Sequence, residues 1–174
     1  MGHKTKAREL MAKYGMQVGS GSGLLTADAA MINEANRIGY PVLIKPAAGG
    51  GGIGMLQAYD ESQMLKAASR ARSMAERGFG NGDIYIEKLV EKPRHVEFQV
   101  LGDEFGNVRH IFERDCSIQR RHQKIIEEAP APGVARSVIL DRASSIVSTL
   151  KALPYDNIGT VEMLMDQNNN FSFL

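Results

Sequence analysis

The stretch Lys45-Pro-Ala-Ala-Gly-Gly-Gly-Gly-Ile-Gly-Met55 narrows the folds open to this chain more than any other. So many glycines destabilise both a helix interior and a strand interior, yet they let a backbone take positive φ and lie flat against a ligand. The run follows Val42-Leu43-Ile44, which has strand composition, and precedes Leu56-Gln57-Ala58-Tyr59, which alternates like a second strand. The pattern predicts a hairpin, Val42–Tyr59, capped by a glycine flap. Backbone N–H groups along such a flap form an anion cradle, with Lys45 at its base as a fixed cation, and polyphosphate is the ligand this suits best. A surface hairpin with no ligand fits the same glycines.

Two standard nucleotide loops are excluded. Gly49, Gly51 and Gly54 satisfy G-x-G-x-x-G, but the dinucleotide fingerprint needs a helix to begin at the last glycine, where this chain has a strand-like run. The Walker A loop needs Lys and Ser/Thr directly after its final glycine, and Met55 stands there.

Composition removes other classes. The 174 residues are 43% hydrophobic and 24% charged with a formal net charge of +1. That balance gives no case for nucleic acid or an acidic membrane surface as partner. No apolar run approaches the roughly 18 residues of a membrane helix, and the first residues lack the apolar core of a secretory signal. A single cysteine, Cys116, excludes an internal disulfide and suits a reducing compartment. The expected setting is cytoplasmic, or an organelle matrix after loss of a transit peptide.

Read in order, residues 4–14 form a helix with Ala7, Leu10, Met11 and Tyr14 on one face. Gly19-Ser-Gly-Ser-Gly23 is a candidate hinge. Thr26 or Asp28 can cap a helix running to Ile38, stopped by Gly39. Asp60 with Gln63 predicts a capping box for a helix ending at about Arg77, with Gly78 as its stop. Residues 84–90 read as a strand. Two alternating strands, 95–101 and 108–114, with Asp103-Glu-Phe-Gly106 between them predict an antiparallel hairpin. A helix over 134–152, a strand over 158–165 and the start of another at Phe171 complete the chain. The expected organisation is a connecting helix over 1–16, a small α/β lid over 17–88, and a second antiparallel unit over 89–174 cut off at Leu174.

Chemistry concentrates in residues 113–128. Arg114, Arg120, Arg121, His122 and Lys124 lie among Glu113, Asp115, Glu127 and Glu128. A charge run of this kind reads as a solvated, salt-bridged loop or as a site. Cys116 and His122 suggest a nucleophile pair only if the fold joins them, and a small buried thiol is the commoner outcome. Cys116, His95 and His122 lack the close spacing of a zinc site. Glu162 lies within an apolar strand, where a carboxylate either faces solvent or meets a metal–phosphate group. A second metal ligand is not obvious from sequence.

Lys45-x-x-x-Gly-Gly-Gly-Gly-x-Gly-Met55, Glu87-Lys88, Pro93-Arg94-His95-Val96-Glu97, Glu113-Arg-Asp-Cys-Ser-Ile-Gln-Arg-Arg-His-Gln-Lys124 and Glu127-Glu-Ala-Pro-Ala-Pro132 occur in this order. With that spacing the chain resembles biotin carboxylase, the ATP-grasp component of acetyl-CoA, propionyl-CoA and pyruvate carboxylases, over nearly its whole length. Carbamoyl-phosphate synthase shares the ATP-grasp fold but not the Cys116-to-Lys124 block.

The resemblance implies an α+β ATP-grasp fold, with the lid followed by part of the larger antiparallel-sheet core. It implies ATP and Mg²⁺ (or Mn²⁺) as cofactors and biotin, on a carrier protein, as substrate. Lys4 and Lys45 would contact phosphates, and Gly49, Gly50, Gly51, Gly52 and Gly54 would close over them. Met55, Glu87, Lys88, Val90 and Leu164 would surround adenine. His95, Gln119 and His122 would hold the ribose and phosphate end, Glu162 would bind the metal, and Lys124 would act at the bicarbonate end, where Gln119 and His122 also belong to the catalytic group. Partners would be bicarbonate, a biotinylated carrier domain and a carboxyltransferase, in an assembly that is often homodimeric and serves fatty acid biosynthesis in the acetyl-CoA enzymes. Family members often carry a basic residue where Ile53 stands and an acidic or small one where His3 stands. An N-terminal Rossmann-like domain and a Glu-x-Asn-x-Arg segment beyond Leu174 are also expected of the family. The expectation for this sequence alone is therefore nucleotide binding, or a structural role, without turnover.

Overall fold

A computed structural model describes residues 4–48, 54–120 and 123–174, with side chains from Ala7 onward. The described chain divides into two units, Gly19–Leu89 and the remainder, which comprises the chain up to Val18 and Val90–Leu174.

In the unit Gly19–Leu89, three antiparallel strands, β1 (Val42–Pro46), β2 (Leu56–Ala58) and β3 (Ile84–Lys88), form a sheet in the order β2-β1-β3. The predicted hairpin is present, with Val42 opposite Ala58 and Ile44 opposite Leu56. Two helices pack here: α2 (Asp28–Ile38) and α3 (Glu61–Phe79) bury Met31, Ala35, Met64, Ala68 and Ala71 against Val42, Ile44, Ala58, Ile84 and Ile86. Three alanines on one face of α3, Ala68, Ala71 and Ala75, are fully buried, which brings its backbone close to the layer beneath.

The helix ends follow the sequence expectation at one position and depart from it at others. Asp60 does cap α3: its Oδ1 accepts from Gln63 N at 3.0 Å, and Gln63 Nε2 returns a bond to Oδ2 at 2.9 Å. The helix passes the predicted stop at Gly78 and ends at Gly80, whose φ of +67° closes the last turn. That left-handed residue, rather than the first glycine in the sequence, terminates the helix. For α2 the N-cap is Ala27, with no side-chain bond; Asp28 falls in the first turn, where its charge meets the helix dipole. The carbonyls before it are tied instead by Arg72, whose guanidinium donates to Leu25 O at 3.0 Å and Thr26 O at 2.5 Å.

The other unit is built on a five-stranded antiparallel sheet in the order β6-β5-β4-β7-β8. Its strands are β4 (Arg94–Gly102), β5 (Val108–Arg120), β6 (Gln123–Glu128), β7 (Ile158–Met165) and β8 (Phe171–Phe173). Strand alternation sends Val96, Phe98, Val100, Val161 and Met163 into a core with Ile139, Ala143, Ile146 and Leu150 of α4 (Arg136–Ala152). Phe98 and Phe171 meet edge to face at 6.0 Å. Met11 of α1 (Lys4–Lys13) and Met16 beside it belong to this core as well, so the first helix packs here, where the sequence suggests a connector.

The opposite parity of β4 and β7 places His95, Glu97, Glu162 and Leu164 together on the other face. Glu97 stands directly across from Glu162, and His95 from Leu164. The predicted polar stretch after Arg114 is strand rather than loop. β5 continues through Arg120, and β6 returns alongside it, with register shifts between Asp115 and Ile118 and again between Ile118 and Gln119. Such a bulge changes the parity of the strand, so Gln119 joins the face that carries His95.

Candidate functional site

In the unit Gly19–Leu89 the chemistry sits on adjacent strands. Lys45 on β1 and Glu87 on β3 are 9% and 7% exposed, and Lys45 Nζ lies 2.5 Å from Glu87 Oε2. A buried ammonium needs a counter-charge of this kind. Lys88 turns its Nζ to the carbonyls of Gly39 and Tyr40, at 2.9 and 2.8 Å, and so ties the end of α2 to β3. Gly54 has φ +78°, and a Cβ there would meet Pro46 Cγ at 3.0 Å, so both conformation and space select glycine. Met55 and Val90 are half-buried. Gly49, Gly50, Gly51, Gly52, Ile53 and His122, with the side chain of Lys4, lie outside the described residues.

The second cluster occupies the face of the five-stranded sheet opposite α4. Its hub is Glu97, 2% exposed, a residue not singled out from the sequence as a site. Lys124 Nζ donates to Glu97 Oε2 at 2.5 Å and to Glu162 Oε1 at 2.7 Å, bridging the two facing carboxylates. Arg114 and the Cys116 thiol also donate to Glu97. Burial, the largest influence, pushes the Glu97 pKa up, but the donors and charges of Lys124, Cys116 and Arg114 outweigh it and hold the group below 4.5. The same carboxylates raise the Lys124 ammonium well above its usual range against the opposing effect of burial. Cys116 is fully buried; burial, then the Glu97 carboxylate, push its thiol up to about 12. An inert thiol results, and the Cys/His nucleophile idea has no support from it.

His95 and Gln119 form the next shell outward. Gln119 Nε2 lies 2.8 Å from His95 Nδ1 and donates to Cys116 O at 2.8 Å. His95 is held below its usual 6.5, chiefly by burial, with the Glu162 charge opposing. The imidazole is therefore neutral at pH 7. Its Nε2 is buried, lies 3.8 Å from Glu162 Oε1, and has no hydrogen-bond partner among the described residues. Leu164 is half-buried across from it in register.

Ligand atoms of His95, Glu97 and Glu162 lie within 4.8 Å of one another. Both oxygens of Glu97 already face cations. Glu162, whose side chain is 41% exposed, is the carboxylate whose chemistry fits a hard ion such as Mg²⁺, which draws its other ligands from phosphate and water. The second carboxylate that sequence could not supply is thus adjacent, but it serves the lysine. Only its place in the Pro93–Glu97 motif marked Glu97 beforehand.

Two α+β units, one with a buried lysine paired to a carboxylate on the adjacent strand and one with a lysine bridging two sheet carboxylates, describe an ATP-grasp nucleotide-binding domain. The chain belongs to the family described as "Carbamoyl-phosphate synthase L chain, ATP binding domain", whose model matches residues 3–174. Within that family it is similar to biotin carboxylases. Over its full length it is 47% identical to biotin carboxylase 1, chloroplastic, of Populus trichocarpa, covering 33% of that protein. The biotin carboxylase of Campylobacter jejuni, solved as a complex with β,γ-ATP, superposes with a TM-score of 0.92 at 45% identity, over 99% of this chain and 39% of that one. The biotin carboxylase domain of Hydrogenobacter thermophilus 2-oxoglutarate carboxylase, a dimer solved with MgADP, ADP and bicarbonate, gives 0.92 at 41% identity, over 99% and 38%. The chain therefore spans between a third and two fifths of the length of these relatives. No helix among the described residues is long and apolar enough to cross a membrane.

Proposed function

We propose that this chain is the ATP-binding portion of a biotin carboxylase, an ATP-dependent ligase that carboxylates biotin from bicarbonate by way of carboxyphosphate. The observation that carries this reading is the Lys124 bridge between Glu97 and Glu162, built from the Cys116-to-Lys124 block that separates biotin carboxylases from carbamoyl-phosphate synthases.

The residues divide the work by charge. Lys45 offers a fixed cation to phosphate oxygens once it shares itself between them and Glu87. Lys4, the flap glycines and His122 are assigned to the nucleotide by resemblance alone. Glu162 would hold Mg²⁺ or Mn²⁺, which when bound screens the charge on the phosphates. His95 presents a neutral ring and so adds a donor without adding charge. Gln119 spends both amide hydrogens on Cys116 O and His95, leaving its Oε1 to accept from a ligand hydroxyl. Lys124 remains cationic at every physiological pH, which suits it to hold an anionic bicarbonate oxygen near the γ-phosphorus as ADP departs. Glu87, Lys88, Met55, Val90 and Leu164 would border the base.

The acceptor is biotin on a carrier protein, the product passes to a carboxyltransferase, and the complete enzyme is homodimeric. An acetyl-CoA carboxylase of fatty acid biosynthesis in the cytoplasm or an organelle matrix is the setting we favour. Calorimetric titration of MgATP into the chain tests the nucleotide site directly. Saturable binding, weakened at least about tenfold by Lys45→Met and by Glu162→Gln, is expected for loss of a charge-assisted contact. A folded sample that shows no saturable MgATP binding would overturn the reading.

A further inference from the structure

A histidine ring that reads a ligand through one nitrogen depends on which nitrogen carries the proton. In this chain the choice is made by neighbours that cannot themselves change. Cys116 O is a carbonyl and can only accept, so the Gln119 atom 2.8 Å from it must be the amide nitrogen. That settles the orientation of the side-chain amide, which atomic positions alone leave open. The same nitrogen lies 2.8 Å from His95 Nδ1. An amide nitrogen has hydrogens and no lone pair to offer, so Nδ1 must accept, and the ring proton resides on Nε2.

The support behind Gln119 is equally specific. The β5 bulge brings it to this face, and Asp115 holds the bulge. Asp115 Oδ1 accepts from Ser117 N at 2.8 Å, while its Oδ2 accepts from Arg94 Nε at 2.7 Å. Ser117 Oγ then accepts from His95 N at 2.9 Å, locking the two strands where the ring begins. We infer that Gln119 is a positioning residue that fixes the tautomer of His95, making Nε2–H an obligate hydrogen-bond donor to an oxygen of the bound ligand. The ring then accepts nothing from the ligand and rejects a donor at that point. Discrimination comes from a backbone carbonyl, a partner that no side-chain titration alters.

The identity of that ligand as a nucleotide rests on the function proposed above, whereas the tautomer does not. The experiment separates them. The chain is labelled with ¹⁵N-histidine, and two-bond ¹H–¹⁵N correlations are recorded at pH 8 without nucleotide, His95 being identified by single His→Gln replacements at the other positions. The expected spectrum has His95 protonated at Nε2, with Nδ1 showing the shift of a hydrogen-bonded acceptor. In Gln119→Met the tautomers should mix, and MgATP affinity should fall roughly tenfold or more, because the variant loses both the fixed His95 donor and the Gln119 Oε1 acceptor. A wild-type ring protonated at Nδ1 would overturn the inference, and that reading needs no variant to fold. A folded Gln119→Met chain with an unchanged tautomer would overturn it too. If the wild-type chain shows the Nε2–H form but does not bind MgATP, the tautomer assignment stands and the nucleotide reading fails.

Discussion

Glu97 shows how a carboxylate occupies a sheet interior at the level of a single residue. Desolvation works against its charge, and only the convergence of Lys124, Arg114 and the Cys116 thiol keeps it ionised. Asp115 follows the same rule: burial raises its pKa, while Ser117 and Arg94 together hold it below 3.8. The sign of the pH dependence follows. Both groups bind protons less readily folded than unfolded, so their contribution is fully present above the unfolded values of 4.5 and 3.8 and is lost as pH falls through the lower folded values. Thermal unfolding followed by circular dichroism should therefore show a midpoint that declines steeply below about pH 4.5. Glu97→Gln should cost about 3 kcal/mol at pH 7, since it leaves two cations facing a neutral amide, and should make the acid decline shallower. A variant as stable as the parent at pH 7 would mean that Glu162 and Glu127, at 2.7 and 2.8 Å, balance Lys124 and Arg114 without Glu97.

Elements with one clear period were legible. The strict alternation of Val96, Phe98 and Val100 identified β4. Asp60 and Gln63 announced the start of α3 because a capping box is written within four residues. Asp60→Ala should accordingly lower stability by about 1 kcal/mol in urea unfolding, with an unchanged denaturant slope. An effect within error would mean that Gln63 alone satisfies the first turn. β5 was legible in extent only through Arg114, and not in what it buries, for a physical reason. Glu113, Asp115 and Cys116 are buried but are polar or small, so the strand hides its inward positions from any hydrophobic pattern. Glu113, for instance, is buried because Arg136 and Ala131 N reach it, at 3.0 and 3.1 Å, from a helix and a loop distant in sequence. Lys124 and His95 were legible because a family motif carries them, and Glu162 because it is a carboxylate within an apolar strand. Their common face depends on strand register and a bulge, which no local window encodes.

At the scale of the whole molecule, the two cores share no residue. One gathers Met31, Val42, Ile44, Met64 and Ile86, the other Phe98, Ile139, Ile146, Met163 and Phe171. Apolar burial is the main favourable term in folding, so each unit has its own source of stability and its own opening equilibrium. A cavity cut into one core should then be felt locally. Met64→Ala and Ile146→Ala each remove a fully buried side chain, at an expected cost of about 2–5 kcal/mol to the unit concerned. Hydrogen exchange read by mass spectrometry gives the partition directly. Met64→Ala should speed exchange in peptides covering β1, β3 and α3 while sparing β4 and β7, and Ile146→Ala should do the reverse. Equal acceleration in both sets of peptides would show that the units open as one, and the lysine–carboxylate pair in one and the Glu97 hub in the other would then share a single stability rather than two.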